Sequence, residues 1–227
     1  MEKELEEIKL KFINKSIEGY KGMKIPYTLF GKDDDSQELI VLLPGANYTV
    51  NSPVFHYLSG ILFDQFKDIL EVNYPYNNEF YNDFNTEEIH KAVKIDSRLV
   101  IDSILETTSY KRYVFIGKSI GTIAMSSELK RDEFKNAEAI WLTPLLNLDA
   151  VFSTIVESGN KGLCILGDKD RIYSKELFDK LGQNENLIRK LIPGANHSLD
   201  YYNNDVYKSI GILKNIITEI QSYLLID

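Results

Sequence analysis

Cysteine is nearly absent: the 227-residue chain carries one, Cys164, within the apolar run Leu163-Cys164-Ile165-Leu166. A single thiol closes no internal disulfide, so a disulfide scaffold is excluded and a reducing compartment, the cytoplasm, is the expected location. Histidine is scarce too. The three copies are scattered and share no ligand spacing with Cys164, so no metal and no organic cofactor is implied. No apolar run approaches the ~20 residues that cross a bilayer. The opening Met1-Glu2-Lys3-Glu4-Leu5-Glu6-Glu7 lacks the apolar stretch of a secretory signal. Excess positive charge is also missing, since the formal net charge is −8, which argues against nucleic acid or an anionic membrane as partner. The acidic run Asp33-Asp34-Asp35 lacks the central Gly and twelfth-position Glu of a calcium loop and reads as a solvated turn. Linkers, low-complexity tracts and internal repeats are absent as well, so residues 1–227 read as a single domain.

What is present is patterned. Ile8, Leu10, Phe12 and Ile13, then Met23, Ile25, Tyr27 and Leu29, alternate with polar residues, and Gly19 and Gly22 fall between them. That predicts an opening β-hairpin. From residue 38 the pattern changes to short continuous apolar runs: Leu39–Leu43, Ile69–Val72, Tyr113–Ile116, Ala139–Leu142, Leu163–Leu166 and Leu187–Ile192. Such runs mark strands buried on both faces of a parallel sheet. Helical patterns lie between them, near 53–66, 86–108, 119–131, 147–158, 173–182 and 204–224. In the last, Val206, Ile210, Leu213, Ile217, Ile220 and Leu224 form one stripe. The expected class is α/β: a mostly parallel central sheet, an N-terminal antiparallel hairpin, and helices on both faces.

Ligands of such sheets bind beyond the carboxyl ends of the strands. Four of those ends carry unusual residues. Gly117-Lys118-Ser119-Ile120-Gly121 is a G-x-S-x-G turn between a strand and a helix. Its glycines relieve crowding around a sharp turn, and its serine is presented at a helix N-terminus that favours developing negative charge. Lys118 reads there as a solvated neighbour of the serine. Gly167-Asp168-Lys169-Asp170-Arg171 offers two competing carboxylates, a pattern that a solvated turn accounts for equally well. Pro193-Gly194-Ala195-Asn196-His197-Ser198 places a histidine in a loop, whereas His56 and His90 fall on predicted helices. The order Ser119, Asp170, His197 matches nucleophile, acid and base in one class of serine hydrolase. Pro44-Gly45-Ala46-Asn47 follows the first parallel strand and can aim backbone N–H groups at an oxyanion, together with the N–H of Ile120.

With these four motifs the sequence resembles the α/β-hydrolases over essentially its whole length. The resemblance implies Gly117–Gly121 as nucleophile elbow, Gly167-x-x-Asp170 as acid turn and Gly194–His197 as histidine loop. It therefore favours Asp170 over Asp168, with Asp149, one strand earlier, as the reserve acid. It implies Ser119, His197 and Asp170 as the catalytic set, Ala46 and Ile120 as oxyanion donors, and Asn47 as a nearby alternative donor. Only about twenty residues separate Leu142 from Leu163, enough for one helix, so no cap domain is expected. The aromatic stretch Asn73–Phe84, including Tyr76, either walls the substrate pocket beside Tyr48 or packs onto the body. The implied activity is hydrolysis of a small-molecule ester or thioester. Amide cleavage, acyl transfer, or a non-catalytic binding protein on the same fold are the competing readings.

Overall fold

The computed structural model describes residues 10–32, 36–65 and 67–225. The acidic run Asp33–Asp35, the opening seven residues and Ile8 lie outside these. Among the described residues eight strands form one sheet: β1 (Lys11–Glu18), β2 (Lys24–Gly31), β3 (Glu38–Leu43), β4 (Asp68–Val72), β5 (Arg112–Lys118), β6 (Glu138–Leu142), β7 (Gly162–Gly167) and β8 (Leu187–Ile192). Their spatial order is β1-β2-β4-β3-β5-β6-β7-β8. β1 pairs antiparallel with β2, and β2 with β4, while all pairings from β4 through β8 are parallel. Among the described residues five α-helices connect them, α1 (Pro53–Asp64), α2 (Thr86–Leu105), α3 (Gly121–Glu128), α4 (Asp149–Glu157) and α5 (Lys175–Lys180), and α6 (Val206–Leu224) follows β8.

The continuous apolar runs divide between the faces with period two. Leu39, Val41, Leu43, Phe115, Trp141 and Cys164 pack in one layer with Val93, Val100 and Ile101 of α2, Met125 of α3 and Val151 of α4. Ile40, Leu42, Val114, Ile116, Ile140 and Ile165 pack in the other with Phe55 and Leu58 of α1 and Ile216 and Ile220 of α6. No strand between β3 and β7 can turn a polar face to water, which is why its sequence does not alternate.

Local signals set the helix starts. Asn85 and Glu88 form a reciprocal capping box on α2, Ser174 accepts from the Leu177 N–H on α5, and Asp205 accepts from the Lys208 N–H on α6. The helix after β5 begins at Gly121, two residues later than its pattern suggests, because Ser119 holds φ of +53° and cannot join it. Gly60 and Gly211 are exposed in the interiors of α1 and α6, and a Cβ on either meets nothing within 4 Å. Gly60→Ala and Gly211→Ala are each expected to add about 0.5–1 kcal/mol of stability, read as a higher urea midpoint at unchanged m.

The order of the strands positions the site. From β3 the chain crosses through α1 to β4 on one side, then returns through α2 to β5 on the other. The loops leaving β3 and β5 therefore diverge around a crevice at the carboxyl edge.

Candidate active site

The elbow is built by close approach. A Cβ on Gly121 would overlap the carbonyl oxygens of Leu43 and Pro44, so α3 starts directly against the end of β3. Ser119, at φ +53°, is held by its N–H to the Leu142 carbonyl at 3.1 Å, while its own carbonyl accepts from the Thr122 N–H at 3.0 Å. A left-handed φ on a residue with a side chain is strained and has to be imposed by its surroundings. This backbone projects the hydroxyl into a cleft of about 500 Å³.

Ser119 Oγ lies 2.9 Å from His197 Nε2, and His197 Nδ1 lies 2.8 Å from Asp170 Oδ2. The Asp170 side chain is fully buried, and its other oxygen accepts from the Ile172 N–H at 2.9 Å. An ionised carboxylate only accepts. Nδ1–H therefore donates to Asp170, and Nε2 is left to accept from the Ser119 hydroxyl. The competing acids sit elsewhere. Asp168 accepts from the Gly194 N–H at 2.7 Å and staples the two loops together; Asp149 is exposed at the start of α4. A Cβ on Gly167 would strike the Ala195 carbonyl, so the turn after β7 lies flat against the loop after β8. Lys169 N–H donates to that same carbonyl at 3.0 Å.

Ala46, Asn47, Tyr48 and Ile120 all line the cleft. Gly45 N–H closes the loop onto the Tyr48 carbonyl at 3.0 Å, and a Cβ on Gly45 would lie 3.4 Å from that of Ser119. Among the described residues, neither the Ala46 nor the Ile120 N–H has a hydrogen-bond partner, so both are available to an oxyanion. Burial pushes the Tyr48 phenol up to about 12, and its oxygen accepts from the Val54 N–H at 3.1 Å, satisfying the start of α1.

Two expectations are corrected. Tyr76 does not line the cleft: it is buried, stacks on Tyr74 and donates to Asp96 Oδ2 at 2.8 Å. Asp96, on α2, also accepts from the Tyr20 N–H at 2.6 Å, so the aromatic segment locks the hairpin to the body. Lys118 is not solvated either. It is 1% exposed, and its Nζ donates to Thr143 Oγ1 at 2.9 Å and to the His197 carbonyl at 2.6 Å, with the Tyr48 ring 4.5 Å away. The two-residue period held a clue, since Val114 and Ile116 face the α1/α6 layer and Lys118 follows them in phase.

Burial pulls the Lys118 pKa from its ordinary 10.5 down to about 7, against the opposing influence of Asp170 and Asp200. Between those two values the unfolded chain holds a proton here that the folded chain has released. Stability contributed through this group therefore rises with pH across that window. Urea midpoints at about pH 6.5 and about pH 9 are expected to show that rise in the wild type and its loss in Lys118→Met.

No family model matches the sequence, and no curated protein matches it. Solved structures do. A protein of unknown function from Agrobacterium tumefaciens, provisionally placed among the α/β-hydrolases, superposes with a TM-score of 0.71 at 20% identity, covering 93% of this chain and 94% of that one. The chain has the α/β-hydrolase fold. An esterase from Pyrococcus furiosus gives 0.65 at 13% identity, covering 90% and 91% of the two chains. A serine hydrolase without a lid from Xanthomonas campestris gives 0.63 at 13%, covering 91% and 94%. In this α/β-hydrolase fold the link from β6 to β7 carries α4 and no further helix or strand.

Proposed function

We propose that the protein is a serine hydrolase of small-molecule carboxylic esters or thioesters, acting through an acyl-enzyme. The observation that carries this reading is the hydrogen-bonded chain from Ser119 through His197 to buried Asp170, opening on a cleft. His197 Nε2 takes the serine proton as Oγ attacks the acyl carbonyl, and Asp170 stabilises the imidazolium that forms. The Ala46 and Ile120 N–H groups receive the oxyanion. The tetrahedral adduct collapses as His197 returns the proton to the leaving alcohol or thiol. Water, deprotonated by the same imidazole, then releases the acid. The esterase and serine hydrolase among the solved relatives favour the same chemistry.

A fluorophosphonate probe tests it. Intact protein is expected to take one label per chain, and folded protein that refuses the label removes the reading. A panel of p-nitrophenyl esters, thioesters and anilides assigns the acyl class; turnover confined to anilides would replace the esterase assignment with an amidase.

The lining also predicts a substrate preference. Lys169 and Arg171 flank Asp170 and face the cleft, among the described residues neither has a carboxylate partner, and none of the described lining residues is acidic. Esters whose acyl part ends in a carboxylate are expected to be favoured about 3–10-fold in kcat/KM over neutral esters of equal length, falling with added salt. Arg171→Gln should reduce that ratio.

A further inference from the structure

We propose that Lys118 is a positioning residue: its buried amino group ties the backbone of His197 to the ends of β5 and β6 and so holds the imidazole against Ser119. The proposal rests on the serine hydrolase reading, and the argument is geometric. Lys118 is the last residue of β5 and immediately precedes the nucleophile. The lysine amino group carries two N–H donors when neutral and three when protonated, enough for two hydrogen bonds in either state. One meets the His197 carbonyl at 2.6 Å, one meets Thr143 Oγ1 at 2.9 Å, and the face of the Tyr48 ring covers the remaining direction. A single buried atom thereby touches the histidine loop, the end of β6 and the oxyanion loop.

The histidine loop is otherwise held by itself, by the acid turn and by the residues just after it, where Tyr202 N–H donates to the Gly194 carbonyl at 2.9 Å. Asn196 Oδ1 accepts from the N–H groups of Ser198 and Asp200, Gly194 N–H donates to Asp168, and the Ala195 carbonyl accepts from Lys169 N–H. These bonds join the loop to β7 and leave its distance from β5 unspecified. Among the described residues, the Lys118 bond is the one hydrogen bond that links the backbone of residues 193–200 to the elbow. Its partner Thr143 is a firm anchor. Thr143 is fully buried, holds φ of +43°, and donates its own N–H to the Ile165 carbonyl at 2.8 Å.

A stability role does not account for this lysine. Among the described residues it has no carboxylate within ion-pair distance, and burying a lysine amino group, charged or neutral, carries a desolvation cost that an apolar chain of the same length does not. What the amino group supplies is a fixed separation between base and nucleophile. A misplacement of about 1 Å at such a contact costs about 100-fold in rate.

The test measures the second-order rate of fluorophosphonate labelling, kcat and KM for a p-nitrophenyl ester, and the thermal midpoint. Wild type is compared with Lys118→Met and Lys118→Gln. Lys118→Met, which keeps the stem and removes every donor, is expected to slow labelling and kcat by about 10–100-fold with KM within about threefold. Lys118→Gln keeps two N–H donors on a shorter stem and is expected to fall between Met and wild type, which also covers the case of a Met variant that does not fold. Labelling of either folded variant at the wild-type rate overturns the proposal, as does a loss no larger than the loss of folded protein. A wild type that takes no label is a different result, because it removes the Ser119 reading itself.

Discussion

Ser119→Ala is expected to abolish fluorophosphonate labelling and lower kcat by about 10⁵-fold or more, with a urea midpoint close to wild type. The alanine keeps the Cβ that the left-handed backbone already tolerates, so the elbow itself is undisturbed. What disappears is, among the described residues, the one oxygen within hydrogen-bond distance of the imidazole that faces the cleft. His197→Ala should cost nearly as much, because a serine hydroxyl without a base is a poor nucleophile. Combining the two should cost little more than either alone, since the groups act as a unit. Asp170→Asn is expected to lose about 10⁴-fold, since the amide lets the ring adopt the wrong tautomer. Label that survives Ser119→Ala would point to another serine, and Ser198, which also lines the cleft, would be the first to replace.

Gly121→Ala is expected to be the most damaging single-methyl addition in the chain. Its Cβ would overlap the carbonyl oxygens of Leu43 and Pro44, which are backbone atoms at the end of a central strand and cannot rotate away. Overpacking a core costs about 1–3 kcal/mol where side chains can yield. Here β3 or α3 has to move, so about 3 kcal/mol or more is expected, seen as a lower urea midpoint. The same shift would push Ala46 away from Ile120, so the folded fraction should also show lowered kcat. Gly117→Ala meets the Met125 sulfur, the end of a flexible side chain, and is expected to be milder. A Gly121→Ala protein as stable as wild type would mean that the helix does not rest on the strand as described.

Much of this arrangement is legible in the residues alone. The runs at Leu39–Leu43 and Tyr113–Ile116 read as doubly buried strands because a central parallel strand has no solvent face to record. The glycines of Gly117–Gly121 read as an elbow because steric exclusion at a tight turn leaves a compositional trace. Choosing between Asp168 and Asp170 is different in kind. Both leave the same strand in the same turn, and only the flat contact of Gly167 on Ala195 fixes which carboxylate faces His197. Tyr76 stands open between two readings for a related reason. A phenol suits a pocket wall or a buried hydrogen bond equally well, and its partner Asp96 lies twenty residues on, in another element. Lys118 hides behind a general rule, that lysine near a loop faces water, which its position at the end of a central strand overrides.

The short passage from β6 to β7, a single nine-residue helix, has a bearing on product. With nothing there to fold across the mouth, an acyl group carried on Ser119 would meet the bulk medium throughout its lifetime. Whatever nucleophile the surroundings supply in excess would then set the outcome: free acid in plain buffer, a new ester once a small alcohol is abundant.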